Sequence, residues 1–225
     1  RDACGLRSVV GYAQLTLGNY AQAEQTLREA IAIAERLGSH TTVAVSLHNL
    51  GYAVFHLGRV DEGIRVEMQA IEQSVKQGDR RIEPGARGYL AEMFASKGDL
   101  DAADREIEAA LAVANEPTRA WLLAMRASIF LARGDAAGGL APSTQAMEIY
   151  RRLGGVEEGA ALMRLVHIKA LRALGRDDEA RKELAEARDA LFERAKRLSD
   201  ESLRDTFLRC VPEHAETLAL ADAWL

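Results

Sequence analysis

Five short stretches decide the fold: LGNYAQA (17–23), LGRVDEG (57–63), KGDLDAA (97–103), RGDAAGG (133–139) and LGRDDEA (174–180). Each is a polar turn between two apolar-periodic segments. Each has a glycine at its second position: Gly18, Gly58, Gly98, Gly134 and Gly175, spaced by 40, 40, 36 and 41 residues. Self-similarity at such a period marks a repeat architecture. Twelve residues after each glycine comes alanine: Ala30, Ala70, Ala110, Ala146 and Ala187. Five residues after each comes a minimal side chain: Ala23, Gly63, Ala103, Gly139 and Ala180. Seven before stand Gly11, Gly51, Ala91, Ala127 and Ile168, and four before stand Gln14, Val54, Phe94, Phe130 and Leu171.

This pattern has a physical reason. Two helices joined by a tight turn must approach closely where they cross. Small residues permit the approach, and a large apolar residue one turn away fills the gap. Glycine ends the first helix because the left-handed conformation costs it little. Asn19, Asp99, Asp135 and Asp177 follow and suit the next helix's N-terminus.

The composition agrees with an all-α chain. Apolar residues make up 48% and aromatics only 5%, with no alternating run of the kind a strand requires. Net charge is −5, and acidic and basic residues alternate along every segment, which fits solvated helix surfaces and not a basic stripe for nucleic acid. The cations are 24 Arg and 5 Lys, a skew expected of a GC-rich genome and not of a phosphate site. No segment has the roughly 18 apolar residues of a membrane span. Cys4 and Cys210 lie far apart, without a CxxC pair. They are expected as free thiols in a reducing cytoplasm, with Cys210 buried and inert. The chain opens on Arg1 and not Met, which suggests a piece of a longer protein.

The small–Gly–aromatic–Ala–Ala columns resemble the tetratricopeptide repeat (TPR). HEAT repeats, of similar length, lack the glycine turn and rank second. The resemblance implies a right-handed TPR-type alpha-alpha superhelix of about five helix pairs, a single solenoid over 1–225. The expected repeats are 3–38, 41–78, 84–116, 117–153 and 157–197, with a cap over 198–225. In repeat four, Gly138, Gly139 and Pro142 predict a second helix starting late, at about Ala141. The last 28 residues, LSDESLRDTFLRCVPEHAETLALADAWL, break the period and read as capping helices opened by Ser199 and Pro212. This tail is similar to the end of maltose-regulator-type TPR arrays in large bacterial signal-transduction NTPase and kinase proteins.

No catalytic constellation accompanies the repeats, and no enzyme activity or cofactor is expected. The five histidines form no HxxxH or HExxH pair. The TPR resemblance implies that the first helix of each pair lines a concave, ligand-binding face. The positions three, six and ten before each turn glycine point into it. That places Tyr12, His48, Tyr52, Phe55, Glu92, Ser128, Lys169 and Arg172 there, with Asn49 beside His48. Tyr12, Tyr52, His48 and Phe55 would form an aromatic patch at one end, and Lys169 with Arg172 a basic end. Asn49 would hydrogen-bond an extended peptide. Tyr12 and Tyr52 equally suit packing between repeats. The carboxylate clamp by which some TPR domains hold a chaperone's C-terminus is absent. Only Asn49 matches it, and the corresponding positions hold Ser8, Tyr12, Gly85 and Tyr89.

The expected function is therefore a cytoplasmic protein- or peptide-binding module, the sensor or scaffold arm of a larger signalling protein. Its partner would be another protein or other domains of the same chain. Self-association into a homo-oligomer is the alternative.

Overall fold

The computed structural model describes residues 2–78, 81–155 and 159–225. Among these the chain is all α-helix, with twelve helices. The first three pairs are α1 (Asp2–Thr16) with α2 (Tyr20–Arg36), α3 (His40–His56) with α4 (Val60–Gln77), and α5 (Glu83–Ser96) with α6 (Leu100–Leu111). The next two are α7 (Glu116–Ala132) with α8 (Ala136–Arg152), and α9 (Ala160–Ala173) with α10 (Asp177–Ala195). Helices α11 (Glu201–Arg209) and α12 (Pro212–Trp224) end the chain. The expected start of the fifth pair, at 157, lies outside the described residues.

All five turns are built alike. Gly18, Gly58, Gly98, Gly134 and Gly175 have φ between 72° and 83°, where a side chain would be strained. The residue after each glycine donates its N–H to the carbonyl five residues back: Asn19 to Gln14, Arg59 to Val54, Asp99 to Phe94, Asp135 to Phe130 and Arg176 to Leu171. This is the six-to-one bond of a Schellman ending. Asp99 Oδ1 and Asp135 Oδ1 then accept from Ala102 and Gly138 N–H at 3.0 and 2.8 Å, capping the next helix.

The small-residue columns lie where the paired helices cross. Ala30, Ala70, Ala110 and Ala146 are fully buried. A Cβ on Gly63 would sit 3.1 Å from the Gly51 carbonyl, and one on Gly139 would sit 3.2 Å from that of Ala127. The helices thus approach almost to backbone contact, and larger residues would push them apart.

Two expectations change. Helix α8 starts at Ala136 and carries Pro142 within it. The Asp135 cap starts it ahead of the proline, and Pro142 is carried inside the helix without its N–H donor. At the tail, Asp200 and not Ser199 caps α11, its Oδ1 accepting from Leu203 N–H at 3.0 Å.

The chain divides into two compact units, Arg1–Ala114 and Asn115–Leu225. The first holds α1–α6, with Leu15, Leu27, Leu50 and Val54 at its centre. The second holds α7–α12, with Ile168, Leu171, Leu184 and Ala221 in one cluster and Met147 with Met163 in another.

Candidate functional site

The expected site residues divide between the two units. Tyr12, His48, Asn49, Tyr52, Phe55 and Glu92 belong to the first, and Ser128, Lys169 and Arg172 to the second.

In the first unit, helix α3 carries His48, Tyr52, Phe55 and His56 at helical spacings that put their rings along one side. They join a ladder with residues of the neighbouring pairs. Tyr20, which opens α2, stacks on His56 with centroids 4.4 Å apart. His56 meets Tyr52 edge-on at 4.3 Å. Tyr52 stacks on Tyr89 of α5 at 3.8 Å, and Tyr89 stacks on His48 at 4.6 Å. Phe55 flanks the ladder, 5.0 Å from His56 and 6.2 Å from Tyr52. Tyr89 is buried, while Tyr20, His48, Tyr52, Phe55 and His56 each keep part of their surface. Tyr52 therefore packs between repeats and still offers an open portion. Burial pushes the His56 imidazole down to about 4, so it is neutral at physiological pH.

Behind the ladder lies a carboxylate. Glu67 of α4 is fully buried, and His48 Nδ1 lies 3.2 Å from its Oε2. Its Oε1 has no hydrogen-bond partner. Burial pushes the carboxyl up to about 7, against the opposing pull of His48. Glu67 occupies the column nine residues after the turn glycine, whose other members are Leu27, Ile107, Ser143 and Leu184. All five are fully buried. Reading that column would have exposed Glu67 as a charged residue in a core position. The room for it comes from Gly51, where a Cβ would stand 2.7 Å from Glu67 Oε1 and 2.8 Å from its Cγ. Ser143, the column's other polar member, is paired with a histidine as well: its Oγ is 3.2 Å from His167 Nδ1.

The remaining expected residues are placed differently from one another. Tyr12 on α1 and Glu92 on α5 are half-buried. Asn49 is only 5% exposed, so little of its side chain reaches the surface. Ser128 donates to the Ala124 carbonyl of its own helix at 3.3 Å. The two cations of the basic end have contacts within the chain. Lys169 pairs with Glu216 of α12 at 2.5 Å, and the Arg172 guanidinium lies 4.9 Å from the Trp224 ring centroid. Arg181 approaches the same ring at 5.1 Å. The terminal helix engages both cations. Cys210 is exposed, contrary to expectation, and Cys4 is buried. Among the described residues no group of His, Cys, Asp or Glu is arranged to hold a metal ion, and no helix is long and apolar enough to cross a membrane.

The comparisons bear on the fold. Residues 2–74 match the family model of the tetratricopeptide repeat. A comparison with curated protein sequences finds no match. The fold is similar to that of a thermophilic TPR protein from Thermus thermophilus, at 20% identity over 92% of this chain and 98% of that one, with a TM-score of 0.63. It is also similar to a Podosopora anserina protein of nearly identical TPR-like repeats, at 18% identity over 86% of this chain and 96% of that one, with a TM-score of 0.56. A third similar structure is the Rap conjugation gene regulator of plasmid pLS20, solved in complex with the Phr* peptide. It is 13% identical over 98% of this chain and 64% of that one, with a TM-score of 0.72.

Proposed function

We propose that this chain is a non-catalytic, peptide- or protein-binding module, and that the ring ladder on α3 and α5 is its contact surface. The single observation that carries the reading is the set of partly open aromatic rings fixed in place by stacking across successive repeats. Rigid aromatic surface binds at low entropic cost, and aromatics dominate interface energetics. TPR domains typically serve protein–protein interaction, and the similar Rap regulator holds a peptide. The wider role follows from the tail: a cytoplasmic sensor or scaffold arm of a larger bacterial signalling protein, with its repeats forming one array. Its partner is then another protein or further domains of the same chain.

The test is capture from a displayed random peptide library by the 225-residue chain. Phe55→Ala removes an outlying ring that is not part of the stacked run. It is expected to weaken captured peptides about tenfold while leaving the circular dichroism unchanged. Peptides that bind the variant as tightly as the parent would mean that the contact surface lies elsewhere.

A specific observation favours self-association as a second reading. Leu6, Val9 and Val10 on α1 are 66%, 64% and 49% exposed. The same columns are buried in the next two repeats, as Ser46, Asn49 and Leu50 and as Ala86, Tyr89 and Leu90. Light scattering over a concentration range tests it, and a strict monomer at all concentrations removes it.

A further inference from the structure

Glu67 and His48 form a closed pair with one open atom. The carboxylate is sealed in the core, with Oε2 beside His48 Nδ1 and Oε1 against Gly51. The far nitrogen of the ring, Nε2, has no hydrogen-bond partner among the described residues, yet it is not sealed from solvent. The His48 side chain is 13% exposed. Its position is fixed from two directions: the ring lies on Tyr89, and Nε2 is 3.3 Å from where a Cβ on Gly85 would stand. Nε2 is therefore a polar atom of a partly exposed ring within the surface proposed to bind peptide.

What that atom offers depends on how many protons the pair holds. With two, one lies between the carboxylate and Nδ1 and the other is on Nε2. Whichever partner formally owns the shared proton, Nε2–H is a donor. With one, the buried carboxylate is ionised and needs a donor, so the remaining proton sits on Nδ1 and points at Oε2. The ring tautomer is then reversed, and Nε2 is a bare acceptor. One proton leaves to solvent, and the polarity of the exposed atom inverts.

We infer that the Glu67–His48 pair is a proton-controlled recognition point, which presents a hydrogen-bond donor to a bound peptide when doubly protonated and an acceptor when singly protonated. This rests on the peptide-binding reading above and adds its regulation. The donor state suits a peptide carbonyl or carboxylate oxygen. The acceptor state suits an amide N–H or a hydroxyl. Burial pushes the Glu67 carboxyl up to about 7, which puts the release of its proton near neutral pH. The surroundings leave the pair to itself. From α3, His56 is two turns away and stacks on Tyr20. From α5 come Tyr89, Glu92 and Arg87, and Arg87 is held by Glu83 and Glu106 at 3.0 and 2.7 Å. On α4 itself, Arg65 donates to the Asp61 carbonyl and Lys76 pairs with Glu72. Among the described residues, His48 is the group whose charge acts on Glu67.

The experiment has two arms on the whole chain. In the first, nitrogen NMR of labelled histidine follows both ring nitrogens of His48 from about pH 5 to pH 9, a window bracketing the ordinary carboxyl and imidazole ranges. Wild type is expected to pass from Nε2–H to Nδ1–H. Glu67→Leu, which installs the residue that Leu27 and Leu184 place in this column, is expected to keep Nε2–H on the neutral ring throughout. In the second arm, peptides are selected from a displayed random library at pH 6 and at pH 8. Those selected at pH 6 are expected to bind about tenfold more weakly at pH 8, the cost of one mismatched hydrogen bond. Gly85→Ala, which crowds Nε2, is expected to weaken both sets without altering the tautomers. Peptides captured without tautomer reversal, or indifferent to pH and to Gly85→Ala, overturn the proton control alone. No capture at either pH overturns the binding reading and this proposal together.

Discussion

Replacing Glu67 by leucine should remove one component of the pH dependence of stability in the first unit. The carboxyl is raised from 4.5 to about 7 in the folded state. The folded protein therefore keeps a proton that the unfolded chain releases. Across that window the unfolded state binds fewer protons, so stability falls as pH rises from 4.5 to about 7 and then levels off. A shift of that size corresponds to about 3 kcal/mol. Leucine has no proton to lose, and three other members of its column are leucine or isoleucine. The variant's advantage over wild type should thus grow by about 3 kcal/mol between pH 4.5 and pH 8. Native-state hydrogen exchange on the amides of α3–α5 reads this locally. His56 titrates equally in both proteins, so it cancels in the difference. A difference constant to within about 0.5 kcal/mol across the range would refute the reasoning.

Other outcomes follow from single contacts. Gly51→Ala puts a methyl group against Glu67 and should destabilise the first unit by about 1–3 kcal/mol. Urea titration of the Gly51→Ala, Glu67→Ala double variant should show much of that cost relieved, because the two side chains compete for one space. In the second unit, burial holds His214 down at about 4, with its ring 2.8 Å from the Phe207 carbonyl. Its folded value lies below its unfolded one, so this contribution is complete above pH 6.5 and is lost as pH falls toward 4. Exchange protection in α11 and α12 should fall over that window, and His214→Gln should flatten the response. Asp135→Ala removes the cap of α8 and should cost about 1 kcal/mol. Amide exchange should show the fraying confined to the turn ahead of Pro142.

The repeat was legible because its causes are local. Gly18, Gly58, Gly98, Gly134 and Gly175 each close a helix in the left-handed conformation, and the alanine columns lie at the crossings they imply. Errors arose where two local signals competed. Pro142 argued for a late start to α8, but the Asp135 cap acts first. Ser199 and Asp200 are both competent caps, and their order alone could not choose between them. The candidate site was less legible because it depends on docking. Nothing local says that α12 folds back to engage Lys169 and Arg172. Asn49 lies beside His48 in the chain yet is buried. The repeat resemblance puts Tyr52, His48 and Phe55 on one face, while Tyr20, His56 and Tyr89 join them only through stacking between repeats. Glu67 could have been found by comparing columns, since it is the one carboxylate among five buried positions.

That α3 and α5 present the binding surface is tested most directly by amide chemical-shift mapping of a library-selected peptide on the labelled chain. The largest changes are expected at His48, Tyr52, Phe55 and Tyr89, with α2 and α4 affected less. Changes centred on the outer charged faces, such as Arg28 and Glu62, or on the exposed α1 residues Leu6 and Val9, would contradict that placement.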